Sequence, residues 1–422
     1  MHSVIAVVNV TFILAIVTWS FVQQEHSLRK FFWPAFLARV GGGVLLGLMY
    51  TWYYPTGDTF AYFADGSQLA ALAQKDFQSY LELFFFNEHL DDAGVMMLQP
   101  RALFLSKITS LVNLLTADNY WIAATYFSLV SFGGAWVLVK EINRRFPTLL
   151  YPAVIAFLFL PSVVFWTGGL LKEAPAMGAF WFLSALFLKI WFRDRLTAWQ
   201  YAMAILSMWI FWNLKYYYAG IFVAVAAATF LCRFILRRAV TSAVAEAVLW
   251  IIILLLPVAL VSLAHPNFHF DRLMQVIVEN NAAYSQMSAA GDFIAFDHLV
   301  PEAGSLALNA PLALFSGLFR PVIHEASGVT QILASIENAV LFVLFAGAVA
   351  RARSYLTSPH RLLILCLIAF VVISAILIAL SAPNFGTLSR FRCGYISFFS
   401  FIILCNNPLL QYVERAFRLV RH

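Results

Sequence analysis

Charge is what this chain has least of. Asp, Glu, Lys and Arg make up 11% of its 422 residues, against 62% hydrophobic residues and a mean hydropathy of +0.82. That balance excludes a soluble globular domain, where about a quarter of residues are charged. Cysteine is also sparse. Cys232, Cys366, Cys393 and Cys405 fall at scattered depths with no ligand spacing, which argues against a disulfide framework or a zinc motif. The first apolar segment has no basic lead-in and no small-x-small cleavage site, so it is expected to stay as a helix and not be removed. Internal repeats and low-complexity runs are missing, and so is any Ser/His or Cys/His arrangement that would mark a protease.

What remains is apolar sequence. About eleven segments approach the roughly 20 residues needed to span a bilayer: 3–22, 36–54, 119–139, 148–166, 174–191, 198–213, 216–236, 242–264, 329–350, 361–381 and 395–412. The fold class this predicts is an all-α polytopic membrane protein, a single integral domain over residues 1–422. Eighteen of the 27 basic residues, with five of the 21 acids, fall in one set of loops, taken to include Arg39, Arg144, Arg193, Arg351 and Arg415. The positive-inside rule puts those loops in the cytoplasm, the N-terminus outside and the C-terminus inside. The net charge of +6 then reports topology, and nucleic acid is not an expected partner.

Two long segments are left outside, about 55–118 and about 265–328. In the first, Leu69, Leu72, Ala73, Phe77, Tyr80, Leu81 and Phe84 share one helical face, with Ser67 as N-cap. Phe104, Ile108, Leu111 and Leu115 mark a second face, opposed by Ser106, Lys107, Ser110 and Asn113. Such helices lie in the headgroup layer; the alternative is that 102–117 spans. The second segment carries His265, His269, Arg272, Asp292, Asp297, His298 and Glu302, and reads as a solvated lid with one or two short helices. His265 and His269 are its one pair with metal-ligand spacing.

The polar residues kept on the outer side are the functional candidates. Asp58, shaped by Pro55 and Gly57, is placed either to serve as a general base at the membrane surface or to cap a helix. Asp65 shares its face if 58–66 is helical, and otherwise reads as a turn residue before Gly66. Pro161 should kink the helix that enters a tight outer loop, where Gly168 and Gly169 permit close approach and Lys172 and Glu173 carry charge. Lys172 needs Glu173, another acid or an anionic ligand beside it. Lys215 sits among Tyr216–Tyr218, which read either as an interfacial belt or as a phosphate site. Arg320, His324 and Glu325 enter an apolar segment that continues to Glu337 and Asn338. Arg390 and Arg392 suit phosphate oxygens or headgroup anchoring. Five cations at helix ends, on a face that otherwise prefers acids, suggest a pyrophosphate-sized anion held by Lys172, Lys215, Arg320, Arg390 and Arg392.

With Asp58 early in a first outer loop of flat amphipathic helices, followed by a multi-helix bundle, the chain resembles the GT-C membrane glycosyltransferases. The segments Pro161–Glu173 and Gly386–Arg392 also resemble stretches of bacterial envelope polysaccharide polymerases. The resemblance implies transfer from a polyprenyl-phosphate or polyprenyl-pyrophosphate sugar to a glycan or lipid acceptor at the outer face of a bacterial inner membrane. It implies Asp58 as the catalytic residue, with Asp65, Glu173, His324 and Glu325 as further catalytic or acceptor-binding candidates. No motif demands a cofactor, and a divalent metal is compatible with the carboxylates. The helix at 3–22 and the expected lack of a soluble C-terminal domain depart from the family pattern. Two other readings stand beside this one: an O-antigen polymerase or ligase using Arg272, His298, Arg320 and His324, and a flippase for a lipid-linked saccharide, which would place charges near the bilayer midplane.

Overall fold

The computed structural model describes residues 2–53, 57–90, 93–236, 242–264, 270–410 and 412. Pro55, His265, His269 and the arginines at 237, 238, 415, 418 and 421 lie outside the described residues. The described residues form helices and no strand, only an isolated bridge between Phe293 and Asn384. Among the described residues seven helices are long and apolar enough to cross a membrane: α1 (His2–Val22), α2 (His26–Trp52), α6 (Tyr120–Arg145), α9 (Glu173–Trp191), α10 (Ala198–Ile235), α14 (Val329–Val349) and α16 (Arg361–Ser381). Shorter apolar helical stretches occur at Pro147–Phe159, in α11 (Ala243–Ala264), in α13 (Ala303–Phe319) and in α18 (Cys393–Leu404). The chain is a multi-pass, membrane-embedded helical protein. It divides into two compact units, Met1–Ala219 and Gly220–His422.

The first unit is built on α6 and α9. Gly134 and Gly178 let their backbones meet: a Cβ on Gly178 would lie 2.6 Å from the Val130 carbonyl. Small residues at such a seam are how apolar helices associate where lipid removes the hydrophobic drive. α2 packs on α6 through Phe32, Phe36, Phe132 and Trp136, whose rings meet mostly edge to face.

Several expectations need correction here. α2 begins at His26, ten residues before the predicted span, and runs through Pro34. Arg39 is therefore in mid-helix and fully buried, not in a cytoplasmic loop. The expected span 148–166 is not one helix. It is a 3-10 turn (Pro147–Leu149), α7 (Leu150–Val154), a π-helical turn (Ile155–Phe159) and α8 (Pro161–Trp166), broken at Leu160 as Pro161 requires. The spans 198–213 and 216–236 join in α10, where Lys215 alone leaves helical geometry (φ −142°, ψ 56°).

The helix expected from Ser67 is two helices, α3 (Asp58–Lys75) and α4 (Phe77–Phe86). Ser67 is interior to α3. The N-cap is Asp76, whose carboxylate accepts from the Ser79 amide and hydroxyl at 3.2 and 2.7 Å. The predicted face does close a small core of Leu69, Tyr80, Leu83, Val95 and Leu103, though Phe77 and Leu81 are exposed. In α5 (Pro100–Thr116) the predicted orientation is reversed. Ser106, Lys107, Ser110 and Asn113 are buried, and Leu111 and Leu115 face outward. Tyr80, Asn87 and Ser67 hydrogen-bond Ser110, Lys107 and Asn113 at 2.9, 2.6 and 2.9 Å. The polar side of α5 is its packing side.

In the second unit α16 is flanked by α13, α18, α11 and α12 (Phe270–Gln286). The segment read as a solvated lid thus supplies two 17-residue helices, of which α13 is apolar and packs along α16 and α14. Short helices α15 (Ala352–Leu356) and α17 (Phe385–Phe391) complete the unit.

Candidate functional site

The first unit gathers its polar side chains around the turn 167–172, between α8 and α9. A turn lacking helical hydrogen bonds is expected on a surface, yet Thr167, Gly168, Gly169, Leu170 and Leu171 are buried. Each exposed-backbone problem has a side-chain answer. Pro161 has no N–H to give the Phe157 carbonyl, and Arg39 donates to that carbonyl at 2.8 Å. The same guanidinium donates to the Thr167 hydroxyl and stands 5.3 Å from the Trp181 ring. Ser131 donates to the Thr167 carbonyl at 2.6 Å, and Ser128 to that of Gly168. Gly168 is needed because a Cβ there would lie 2.5 Å from the Arg39 carbonyl.

The fourth tie reaches α3. Thr59 donates to the Leu170 carbonyl at 2.8 Å and accepts from the Tyr120 hydroxyl at 2.9 Å. Its neighbour Asp58 is the first residue of α3 and is half-buried. One turn further on, the buried Tyr62 ring lies 5.2 Å from the Lys172 ammonium. The structure thus brings the Asp58 turn to the Lys172 turn.

Glu173 and Lys215 meet directly. Lys215 Nζ donates to Glu173 Oε1 at 2.6 Å, and both side chains are almost wholly buried. The acid beside Lys172 in sequence is therefore engaged by Lys215, and Lys215 reaches it because the backbone of α10 breaks at that residue. An interfacial belt accounts for Tyr216, which is exposed beside Arg101, but not for the buried Tyr218.

Asp65 is a structural residue here. It is mid-helix, not in a turn, fully buried, and accepts from the amides of Met96 and Met97 at 3.0 and 2.9 Å. It fixes the chain entering α5.

The second unit holds the remaining candidates. Arg320 forks onto Glu325, which also accepts from the Val322 amide at 2.9 Å. Burial acts to raise the Glu325 carboxyl, but Arg320 and that amide outweigh it and hold the group below the usual carboxylate range. Arg392 is fully buried, so it is not a headgroup anchor; it donates to the Arg320 carbonyl at 3.3 Å and lies 3.7 Å from Glu337. Asn338 donates to the Pro321 carbonyl at 2.9 Å. Arg390 is half-buried in the last turn of α17. His324 is exposed in a short 3-10 turn. Arg272 and His298 are exposed and pair with close sequence neighbours, Glu279 and Asp297.

Carboxylates of the protein engage Lys215, Arg320 and Arg392. Sequence reasoning missed Arg39, Thr59, Ser128 and Ser131. Their signal was present as polar residues within apolar runs, which need partners inside the fold. Comparison with known proteins found no matching family model, no matching curated relative and no matching solved structure.

Proposed function

We propose that the chain is a membrane glycosyltransferase that takes a sugar from a polyprenyl-phosphate or polyprenyl-pyrophosphate donor, with the site at the Asp58 and Lys172 turns. The observation that supports this reading is the junction of two elements: Thr59 bonded to Leu170, and Tyr62 beneath the Lys172 ammonium. It joins a carboxylate at a helix start to a cation on a turn held from all sides. Transfer needs a base for the acceptor hydroxyl, which we assign to Asp58, and charge stabilisation for the departing phosphate, which we assign to Lys172. Glu173 and Lys215 position Lys172 in this reading, and the second-unit arginines stabilise their own segment.

The test uses purified protein in lipid nanodiscs. Asp58→Asn keeps size and an acceptor oxygen and should lower turnover about a hundredfold or more while leaving polyprenyl monophosphate binding intact. Lys172→Gln should weaken that binding. Near-normal turnover in Asp58→Asn, with loss in Arg320→Gln or His324→Ala, would transfer the activity to the second unit and to a polymerase or ligase chemistry. A carrier is the second reading. A buried break in a helix beside a buried ion pair is also what carriers use for a substrate site. It would be favoured by saccharide-lipid movement across the bilayer without glycosidic bond formation.

A further inference from the structure

We propose that Glu82, Glu88 and His89 form a surface site for a divalent cation of the zinc class, separate from the Asp58 and Lys172 turns. The chain builds it by reversing after α4. Asn87, the C-cap, and His89 both take left-handed backbone geometry (φ 61° and 59°), which turns Glu88 and His89 back toward Glu82 on the last turns of the helix. One ligand atom from each of the three lies within 4.8 Å of the others, and His89 Nε2 is 3.0 Å from Glu82 Oε2.

That spacing is close to what a metal requires. Bonds of about 2.0–2.2 Å to nitrogen and oxygen, arranged tetrahedrally, put neighbouring ligand atoms about 3.3 Å apart. Side-chain rotation alone closes the remaining distance. The donor set is mixed, and this separates it from a patch of acids: an imidazole nitrogen with two carboxylates suits zinc-like ions, whereas carboxylates alone suit calcium or magnesium. Three protein ligands at an exposed position leave the fourth to water.

The frame is ordered from below. Leu83 and Tyr80 of α4 are anchored in the small core beneath, and the buried Lys107 donates to Asn87 Oδ1 at 2.6 Å and to the Phe84 carbonyl at 2.9 Å. These bonds fix the turn that carries Glu88 and His89. Binding takes the imidazole in its neutral form with Nε2 as electron-pair donor, so the proton shared between Nε2 and Glu82 leaves to solvent. The simpler account is a surface ion pair, which would contribute little and would bind nothing.

The experiment is zinc binding by tag-free full-length protein in detergent, followed by equilibrium dialysis with elemental analysis. One saturable equivalent is expected, with His89→Ala and Glu82→Gln each weakening it by about tenfold or more, at least the loss seen when residues supporting a metal ligand are removed. Zinc should also raise the melting temperature of the wild type and not of His89→Ala. Both side chains are partly exposed, so the metal-free melting temperatures should agree and certify folding. Equal zinc affinity in wild type and variants, or no saturable binding by the wild type, overturns the proposal. Because the readout is metal content, its failure leaves the glycosyltransferase reading untouched.

Discussion

Two irregular, charged segments of this chain are held in opposite ways. The turn 167–172 is held by its surroundings: the carbonyls of Phe157, Thr167, Gly168 and Leu170 are met by Arg39, Ser131, Ser128 and Thr59, all remote in sequence. The segment 320–325 spends its own charges on its shape, with Arg320 on Glu325 and Glu325 on the Val322 amide, beside the outside donors Arg392 and Asn338 to the Arg320 and Pro321 carbonyls. The difference matters for chemistry. A segment braced from outside has its backbone carbonyls satisfied by side chains that are not its own. A segment that uses its arginine and glutamate on each other has fixed its own shape with them. Pre-organisation by supporting residues is what a catalytic or binding site requires.

The sharpest way to break this comparison is the Glu173–Lys215 pair. Removing one partner leaves a buried charge uncompensated, so Glu173→Gln or Lys215→Met should each cost about 3–5 kcal/mol of stability. Replacing both with methionine should recover most of that loss. Thermal unfolding in detergent measures the first effect, and a binding or turnover assay on the double variant separates shape from function. A double variant that is stable but inactive keeps the pair in the site; one that is stable and active makes it scaffolding.

Arg39 comes next. Arg39→Leu would leave the Phe157 carbonyl and the Thr167 hydroxyl short of a donor, at about 1–3 kcal/mol for each group left unsatisfied. The loss should appear as a lower melting temperature together with weaker polyprenyl monophosphate binding, because the turn it braces carries Lys172. Unchanged stability would show that the turn does not depend on its outside brace, and would dissolve the contrast. Gly134→Ala is the control at the α6–α9 seam, one turn beyond Ser131, where no side chain that braces the 167–172 turn is itself replaced. Its new methyl group would collide with the Gly178 carbonyl, for an overpacking cost of about 1–3 kcal/mol with binding spared once the protein is folded.

The parts legible from sequence were those governed by local backbone chemistry. Pro161 announced a disturbance in the incoming helix, though a kink was expected and not a break; Gly168 announced the close approach, and the polar step at Lys215 the interruption of α10. The misreadings came from rules carried over from water or from loops. The helix α5 was expected to lie in the headgroup layer, when in this fold its polar side is the side that packs against the protein. Arg39 was assigned to a loop because the positive-inside rule concerns arginines at helix ends, and this one bonds inside the fold. Helix α13 was absorbed into a lid because Asn309, Pro311 and the charged stretch before it lowered its apparent hydropathy. The Glu173–Lys215 pair could not be read at all: it joins residues 42 apart through tertiary packing, and an acid already stood next to Lys172.

The smallest effect tests the self-closed segment. Glu325 titrates below the usual carboxylate range, so its charged form is favoured in the folded state. A depressed carboxyl contributes stability that is fully present above the unfolded value, about 4.3, and is lost as pH falls through the lower folded value. Glu325→Gln should therefore cost on the order of 1 kcal/mol near neutral pH, and the gap to wild type should shrink as pH is lowered through about 4 and below. Arg320→Gln should flatten the acid-side slope in the same window, because it removes the charged partner that favours the carboxylate. The measurement is melting temperature against pH for the three proteins. A gap that stays constant with pH would mean that Glu325 is held by shape and not by its charge, and would bring the segment closer in kind to the externally braced turn at 167–172.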